Sequence, residues 1–124
     1  MLITILGLAP GLPSTVECET PWGKPHAVWR GAMEPAKGHP IEVELDARGV
    51  LVWRGGSEII SADAVSAHGQ TLRGLVESID GNLVVLRVGP TLLSLDVAGE
   101  PPVGILGLEI PVTPAAFEVW PTGV

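Results

Sequence analysis

The sequence has one cysteine, no tyrosine and one phenylalanine, and charged residues make up only 17% of its 124 residues. A single cysteine cannot form a disulfide within the chain, which favours a reducing compartment. The 46% of apolar residues excludes a disordered chain. Basic residues are scarce as well, since seven Lys and Arg against fourteen Asp and Glu give a net charge of −7. This charge opposes binding to phosphate backbones and anionic lipids, so we expect neither a nucleic acid nor a membrane partner.

Long segments without glycine or proline are nearly absent. The 16 Gly and 12 Pro are spread so evenly that only residues 57–68 exceed eight positions without either. Helices average about 11 to 12 residues and tolerate both poorly, which excludes an all-α fold and a series of βαβ units. One short helix is predicted over Ser61–His68, with Ser61 as its N-cap and Gly69 after its end. A strand continuing from Ile59 is the alternative.

Short runs with a period of two predict strands. Between Ile41 and Asp46, for example, apolar and acidic residues alternate. About ten such runs predict an all-β fold, a small antiparallel barrel or sandwich with an OB-like form and at most one short helix. Besides the runs at 16–19 and 41–46, they are 2–6, 26–30, 50–54, 72–79, 83–88, 91–97, 105–112 and 116–120.

The same alternation predicts which side chains point inward. Glu42, Glu44 and Glu118 are expected to face solvent. The expected core residues are Val43, Leu45, Val84, Leu86, Val88, Leu93, Leu95, Val97, Leu108, Ile110, Phe117 and Val119. Cys18 alternates with two glutamates and is predicted to be a buried, unreactive thiol.

Turn residues fix some strand neighbours. Asp80-Gly81-Asn82 predicts a tight hairpin and Val88-Gly89-Pro90-Thr91 predicts the next turn, so residues 72–97 form a predicted three-stranded meander. The length predicts one domain, 1–124, with possible half-modules 1–62 and 70–124.

The second half shows a resemblance to a known class of modules. Residues 73–124 include "RGLVESIDGNLVVLRVGPTLLSLDVAG" and "PPVGILGLEIPVTPAAFEVWPTG". Their strand order and turn placement resemble the OB-type half-barrels of transport-associated (TOBE) and molybdate-binding modules. The resemblance implies a small barrel that binds anions, nucleic acid or other copies of itself, and it assigns no binding residue.

Catalytic, metal and targeting signals are weak. The three histidines are isolated, which predicts no metal site, and the acidic strand 42–46 is interpreted as a solvated face. Ser61, Asp63, Ser66 and His68 form the one local group with nucleophile, acid and base, but no G-x-S-x-G motif accompanies it. We therefore expect a non-enzymatic protein without a cofactor. The N-terminal segment has neither the basic region of a signal peptide nor the length of a membrane span, which predicts a cytoplasmic location.

The four tryptophans are the unusual feature, because tryptophan is the residue type most enriched at binding hot spots. Two occur in repeated Trp-Arg-Gly triplets, at Trp29-Arg30-Gly31 and Trp53-Arg54-Gly55. Core filling is the alternative to an interface role for each tryptophan. The candidate interface residues are Trp22, Trp29, Arg30, Trp53, Arg54 and Trp120.

The function expected from these features is that of a binding module whose partner is a protein, including a second copy of the chain. The N-terminal strand 2–6 lacks Lys and Pro and is expected to offer a free edge for dimer formation. Two alternatives remain: an OB-like module for a small molecule or oxyanion, and a single-strand nucleic-acid binder, which the net charge disfavours.

Overall fold

A computed structural model describes residues 1–11, 14–62 and 70–122. All regular elements in these ranges are strands, which confirms the all-β prediction. The strands are β1 (Leu2–Ala9), β2 (Thr15–Glu19), β3 (His26–Trp29), β4 (Pro40–Arg48), β5 (Leu51–Arg54), β6 (Glu58–Ser61), β7 (Leu72–Asp80), β8 (Leu83–Val88), β9 (Thr91–Ala98), β10 (Glu109–Thr113) and β11 (Ala116–Pro121). No described segment is a helix long and apolar enough to cross a membrane.

The predicted helix at 61–68 falls mostly outside the described residues, since 63–69 are not described. Its first residue, Ser61, ends β6. Within the described residues, the alternative of a strand at Ile59 is observed as β6, Glu58–Ser61.

The first barrel has five strands in the order β1-β2-β3-β11-β4, and β4 closes it by pairing with β1. Neighbouring strands are antiparallel except β3 and β11, which are parallel. The prediction of a free edge on the N-terminal strand is wrong, because β1 pairs with β2 along Thr4–Ala9 and with β4 along Leu2–Thr4.

The second barrel has six strands in the order β10-β6-β5-β9-β8-β7, closed by pairing of β7 with β10. The meander predicted over 72–97 is confirmed as β7, β8 and β9, with Asp80 paired to Leu83 across the first turn. Gly81 in that turn has a φ of +59°, which glycine adopts without strain. Residues 73–113 thus form part of a small closed barrel.

The chain crosses between the barrels twice, at residues 49–50 and 114–115. The strands are divided between the two barrels at these crossings. At the crossings the Ala115 amide donates to the Arg48 carbonyl at 3.2 Å. A Cβ on Gly49 would lie 3.1 Å from that of Ala115, so the two crossings touch. Strands β4 and β9 also make contact between the barrels.

One hydrophobic cluster runs through both barrels. The predicted core residues are confirmed as buried, except Leu45, which is half-buried and packs against the cluster, and Leu108. Leu108 is exposed because β10 begins only at Glu109 and the preceding residues form a loop. Glu42 and Glu44 are exposed as predicted.

Glu118 is the acidic residue whose predicted exposure is wrong. Its side chain retains only 13% of its accessible surface. Arg30 from the end of β3 and Arg48 from β4 both pair with this carboxylate, the latter at 3.2 Å. The alternation was correct, but two neighbouring arginines cover the outer face at this point.

Candidate functional site

Three of the four tryptophans fill or cover barrel interiors. Trp29 is buried, and its Nε1 donates to the Met33 carbonyl at 2.8 Å. Trp22 sits in the turn between β2 and β3 and packs its ring against Phe117, with ring centroids 6.3 Å apart. Trp53 is half-buried against the core cluster. These three residues have structural roles.

The arginines of the two triplets are engaged within the chain. Arg30 is half-buried and pairs with Glu118. Arg54 is exposed and pairs with Glu58 on the next strand of its hairpin. Of the six candidate interface residues, Arg54 and Trp120 are exposed.

Trp120 differs from the other tryptophans because it remains 46% exposed. It lies near the end of β11 and borders a groove of about 570 Å³ between the barrels. We call this groove the Trp120 groove; its lining is Met1, Val43, Glu44, Leu45, Asp46, Thr91, Leu92, Leu93, Ser94 and Trp120. Strands β4 and β11 form one wall, and β9 forms the other.

Leu92 is the second large apolar side chain that the Trp120 groove exposes, with 56% of its surface accessible. The sequence prediction missed it, although the alternation that buries Leu93 and Leu95 already puts Leu92 on the outer face. An apolar residue among outward-facing Ser94 and Asp96 is the signal that identifies it.

The charged side chains that line the Trp120 groove are both acidic. Glu44 lies opposite Trp120 in the β4–β11 ladder, and Asp46 follows it on the same face. Neither carboxylate forms an ion pair with any described residue. No Lys or Arg stands among the described residues that line the groove. Glu42, one pleat away on the same strand face, pairs with the Met1 amino group at 2.9 Å.

A second depression, of about 690 Å³, lies along β3 and the start of β11, where the second barrel joins. We call it the Lys24 cleft; its lining is Thr15, Lys24, His26, Ala27, Val28, Gln70, Pro114, Ala115, Ala116 and Phe117. Gln70 is fixed there, because its amide accepts from the His26 amide at 2.6 Å and donates to the His26 carbonyl at 2.9 Å.

The Lys24 cleft has the opposite electrostatic character to the Trp120 groove. No carboxylate stands among its described lining residues. Lys24 is exposed and forms no ion pair with any described residue, unlike all five arginines. Lys24 and Gln70 are not recognisable as neighbours in the sequence, because contact between the two barrels brings them together.

Other chemistry-bearing residues do not assemble into a site. Within the described ranges, no three His, Cys, Asp or Glu side chains are grouped closely enough to hold a metal ion. Cys18 is fully buried, as predicted, and its thiol donates to the Pro25 carbonyl at 3.6 Å. Burial, with a smaller contribution from Glu17, raises the pKa of Cys18 to about 11. Ser61 is buried, and the other three residues of its group lie in 63–69, outside the described residues.

Comparisons of the chain with protein-family models, with curated proteins and with solved structures gave no match in any of the three.

Proposed function

We propose that the protein is a non-enzymatic binding module that holds a basic segment of a partner protein in the Trp120 groove. The exposed indole of Trp120 next to two unpaired carboxylates carries this proposal. Tryptophan in a concave, apolar setting is the commonest anchor of a binding hot spot. An arginine or lysine of the partner can stack on the indole face while pairing with Glu44 or Asp46.

The partner is recognised by apolar contact with Trp120 and Leu92 and by charge. The strands of the groove walls each pair with two neighbours, although β4 pairs with β1 only along residues 40–42 and β9 pairs with β5 only at Val97 and Ala98.

The charge of the Trp120 groove favours a basic partner over a second copy of the chain. A second copy placed here would bring the same unpaired carboxylates against Glu44 and Asp46, and like charges in an interface are costly. A segment that alternates basic and apolar residues meets no such repulsion. Electrostatic attraction by the net charge of −7 also raises the association rate of a basic segment at low salt.

The test is calorimetric titration with an eight-residue peptide that alternates arginine and leucine. Peptides that alternate glutamate with leucine and arginine with glycine serve as controls. We expect the first peptide to bind with a dissociation constant of about 10 to 100 μM, weakening as salt rises, and at least tenfold tighter than both controls. Equal binding of the arginine–glycine peptide would reduce the effect to charge alone and contradict the proposal, as would no binding up to millimolar concentration.

Matched variants locate the binding. Trp120→Ala and Glu44→Lys should each weaken it at least tenfold, and both side chains are exposed, so the fold is preserved. Two control variants change residues outside the groove. Met33→Ala removes an exposed apolar side chain, as Trp120→Ala does, and Glu100→Lys makes the same charge change as Glu44→Lys. Both controls should bind as the parent protein does; a parallel loss in them would place the site elsewhere.

A second candidate function is supported by Lys24, the unpaired cation in a cleft whose described lining has no carboxylate. The first barrel follows the order 1-2-3-5-4 when its strands are counted along the chain, with the third and fifth parallel. This order supports an OB-like form for the first barrel, whereas the sequence resemblance covered residues 73–124, and in that fold the face of strands 2 and 3 is a usual binding surface. We infer that a small organic anion is the ligand class for the Lys24 cleft.

Nuclear magnetic resonance titration with benzoate and with inorganic phosphate tests the second candidate. Shifts should be confined to amides near Lys24, His26 and Gln70, and Lys24→Gln should abolish them. Lys37→Gln makes the same charge change at an exposed lysine that does not line the cleft. Retained shifts in Lys24→Gln, or equal loss in Lys37→Gln, would exclude the site.

A further inference from the structure

The second barrel carries another apolar surface, in the loop before β10. Val103 is fully exposed, and Leu106 and Leu108 are each more than half exposed. Leu75 on the outer face of β7 lies near Leu108, because the amide of the next residue, Val76, donates to the Leu108 carbonyl. We call these four side chains the loop face.

The loop face is held in place by the barrel. The Val76 amide donates to the Leu108 carbonyl and the Gly107 amide donates to the Val76 carbonyl, both at 2.9 Å. Between the exposed residues, Ile105 is buried in the core and anchors the loop. Its apolar side chains are thus presented to solvent on a fixed backbone, which lowers the entropy cost of binding.

The charges around Leu75, at one side of the loop face, cancel. Leu75 lies opposite Glu109 on one side and Arg87 on the other. Glu109 pairs with Arg73 at 3.0 Å, and Arg87 pairs with Glu77. Two positive and two negative side chains therefore flank Leu75, with no net charge.

We propose that the loop face is a contact between two copies of this chain related by a twofold axis. Two molecules of net charge −7 repel each other, so a stable contact must form where local charge cancels. A twofold contact must also be self-complementary, and a patch with paired charges of both signs around an apolar centre meets this condition. A basic partner has no unpaired carboxylate to bind among these four charged residues.

The position of the loop face keeps it separate from the Trp120 groove. In the ring of six strands, β10 lies directly opposite β9, which forms one wall of the groove. A dimer through the loop face therefore leaves both grooves open and presents two binding sites to one partner.

The size of the loop face predicts a weak dimer. An interface of standard size buries about 800 Å² on each partner. Four side chains supply only part of this, so both flanking ion pairs must enter the contact. We expect a dissociation constant of about 10 to 100 μM at 150 mM salt, and stronger association at higher salt because the net repulsion is screened.

Sedimentation equilibrium over 5 μM to 1 mM protein, at 50 and 500 mM sodium chloride, tests the proposal. The mass should rise from the 12.9 kDa of the monomer towards twice that value, and more readily at 500 mM. A mass that stays at one chain throughout would overturn the proposal. Association that weakens with salt would contradict its electrostatic basis.

Two variants place the contact. Leu106→Asp should weaken dimer formation at least tenfold. Met33→Asp adds the same charge at an exposed residue of the first barrel and should change the dissociation constant only by the small effect of one more negative charge per chain. Equal effects would show that the loop face is not the contact. Flotation with neutral phosphatidylcholine vesicles adds a further check, since vesicle binding that Leu106→Asp abolishes, with no dimer, would assign the loop to a lipid surface instead.

Discussion

The two barrels are built from different parts of the chain. The second barrel is continuous in sequence, from Leu51 to Thr113, whereas the first combines residues 2–48 with β11 from near the C-terminus. The fully buried side chains of the second barrel are aliphatic, with Trp53 half-buried against them, whereas the first barrel buries Trp29 and Phe117. The first barrel can close only after the entire second barrel has been synthesised, because its strand order requires β11 between β3 and β4.

The comparison shows why the surface between the barrels holds the candidate sites. Two crossings, at 49–50 and 114–115, hold the barrels side by side, and grooves form where the curved walls meet. The charge divides almost evenly: residues 1–48 and 116–124 have four basic and seven acidic side chains, and residues 49–115 have three and seven. The surfaces of the two barrels therefore differ in which charged side chains form ion pairs and not in the net charge of each barrel.

The largest expected effect tests whether the two barrels unfold together. Phe117→Ala in the first barrel and Leu86→Ala in the second each empty a fully buried site, which costs about 2 to 5 kcal/mol of unfolding free energy. Because one core cluster spans both barrels, each variant should shift a single cooperative transition in denaturant. Two separate transitions, with each variant shifting only one of them, would show that the barrels are independent.

A pH effect should appear in the first barrel, where burial raises the pKa of Cys18 to about 11. The folded state favours the neutral thiol, so stability is full below the ordinary thiol pKa of about 9 and falls as pH rises towards 11. The loss relative to Cys18→Ala should reach about 2 kcal/mol at pH 10.5. Urea unfolding of both proteins at pH 7.5, 9 and 10.5 measures it. Identical pH dependence in the two proteins would contradict the buried, neutral thiol.

The crossing between the barrels can be tested by two glycines with the same backbone angle. Gly49 and Gly99 both have a φ of +94°, so replacement by alanine strains each backbone equally, by about 1 to 2 kcal/mol. A Cβ on Gly99 meets nothing within 4 Å, whereas on Gly49 it lies 3.1 Å from the Ala115 Cβ and 3.3 Å from the Ser61 Oγ. Thermal unfolding should show Gly49→Ala to be the less stable variant by about 1 kcal/mol. Equal losses would mean that the crossings are not packed.

The smallest effect compares ion pairs in the two barrels. Glu118→Gln removes a half-buried carboxylate that serves two arginines, and after allowance for solvent screening we expect a loss of about 1 kcal/mol. Glu58→Gln breaks the more exposed pair with Arg54 in the second barrel and should cost less than about 0.5 kcal/mol. Chemical denaturation of the two variants gives both values. A larger loss in Glu58→Gln would reverse the expected order.

Local signals predicted the second barrel better than the first. The Asp80-Gly81-Asn82 turn and the alternation on both sides of it were sufficient for β7, β8 and β9, because those strands pair with their sequence neighbours. Leu108 was misplaced because the apolar alternation extends through a loop in which Gly104 and Gly107 both have a φ of +81°. The free edge expected for β1 was also wrong, since its second partner, β4, follows about 30 residues later.

The candidate sites depended even more on distant contacts. Composition identified tryptophan as the residue type to consider, but one tryptophan ring packs on Phe117 and another donates to the Met33 carbonyl. Only the exposure of Trp120 selects it, and its neighbour across the groove, Leu92, belongs to the other barrel. Lys24 and Gln70 meet for the same reason.

The sequence by itself determined the all-β class, most strands and the inward direction of nearly all core side chains, because glycine, proline and the period of two act over a few residues. The tertiary structure alone decided that two barrels close and that β11 returns to the first of them. It also decided which tryptophan stays exposed and that Glu118 is covered by two arginines. These features depend on pairing between segments up to about 90 residues apart, and a pattern of local alternation holds no information about which distant strand will be the partner.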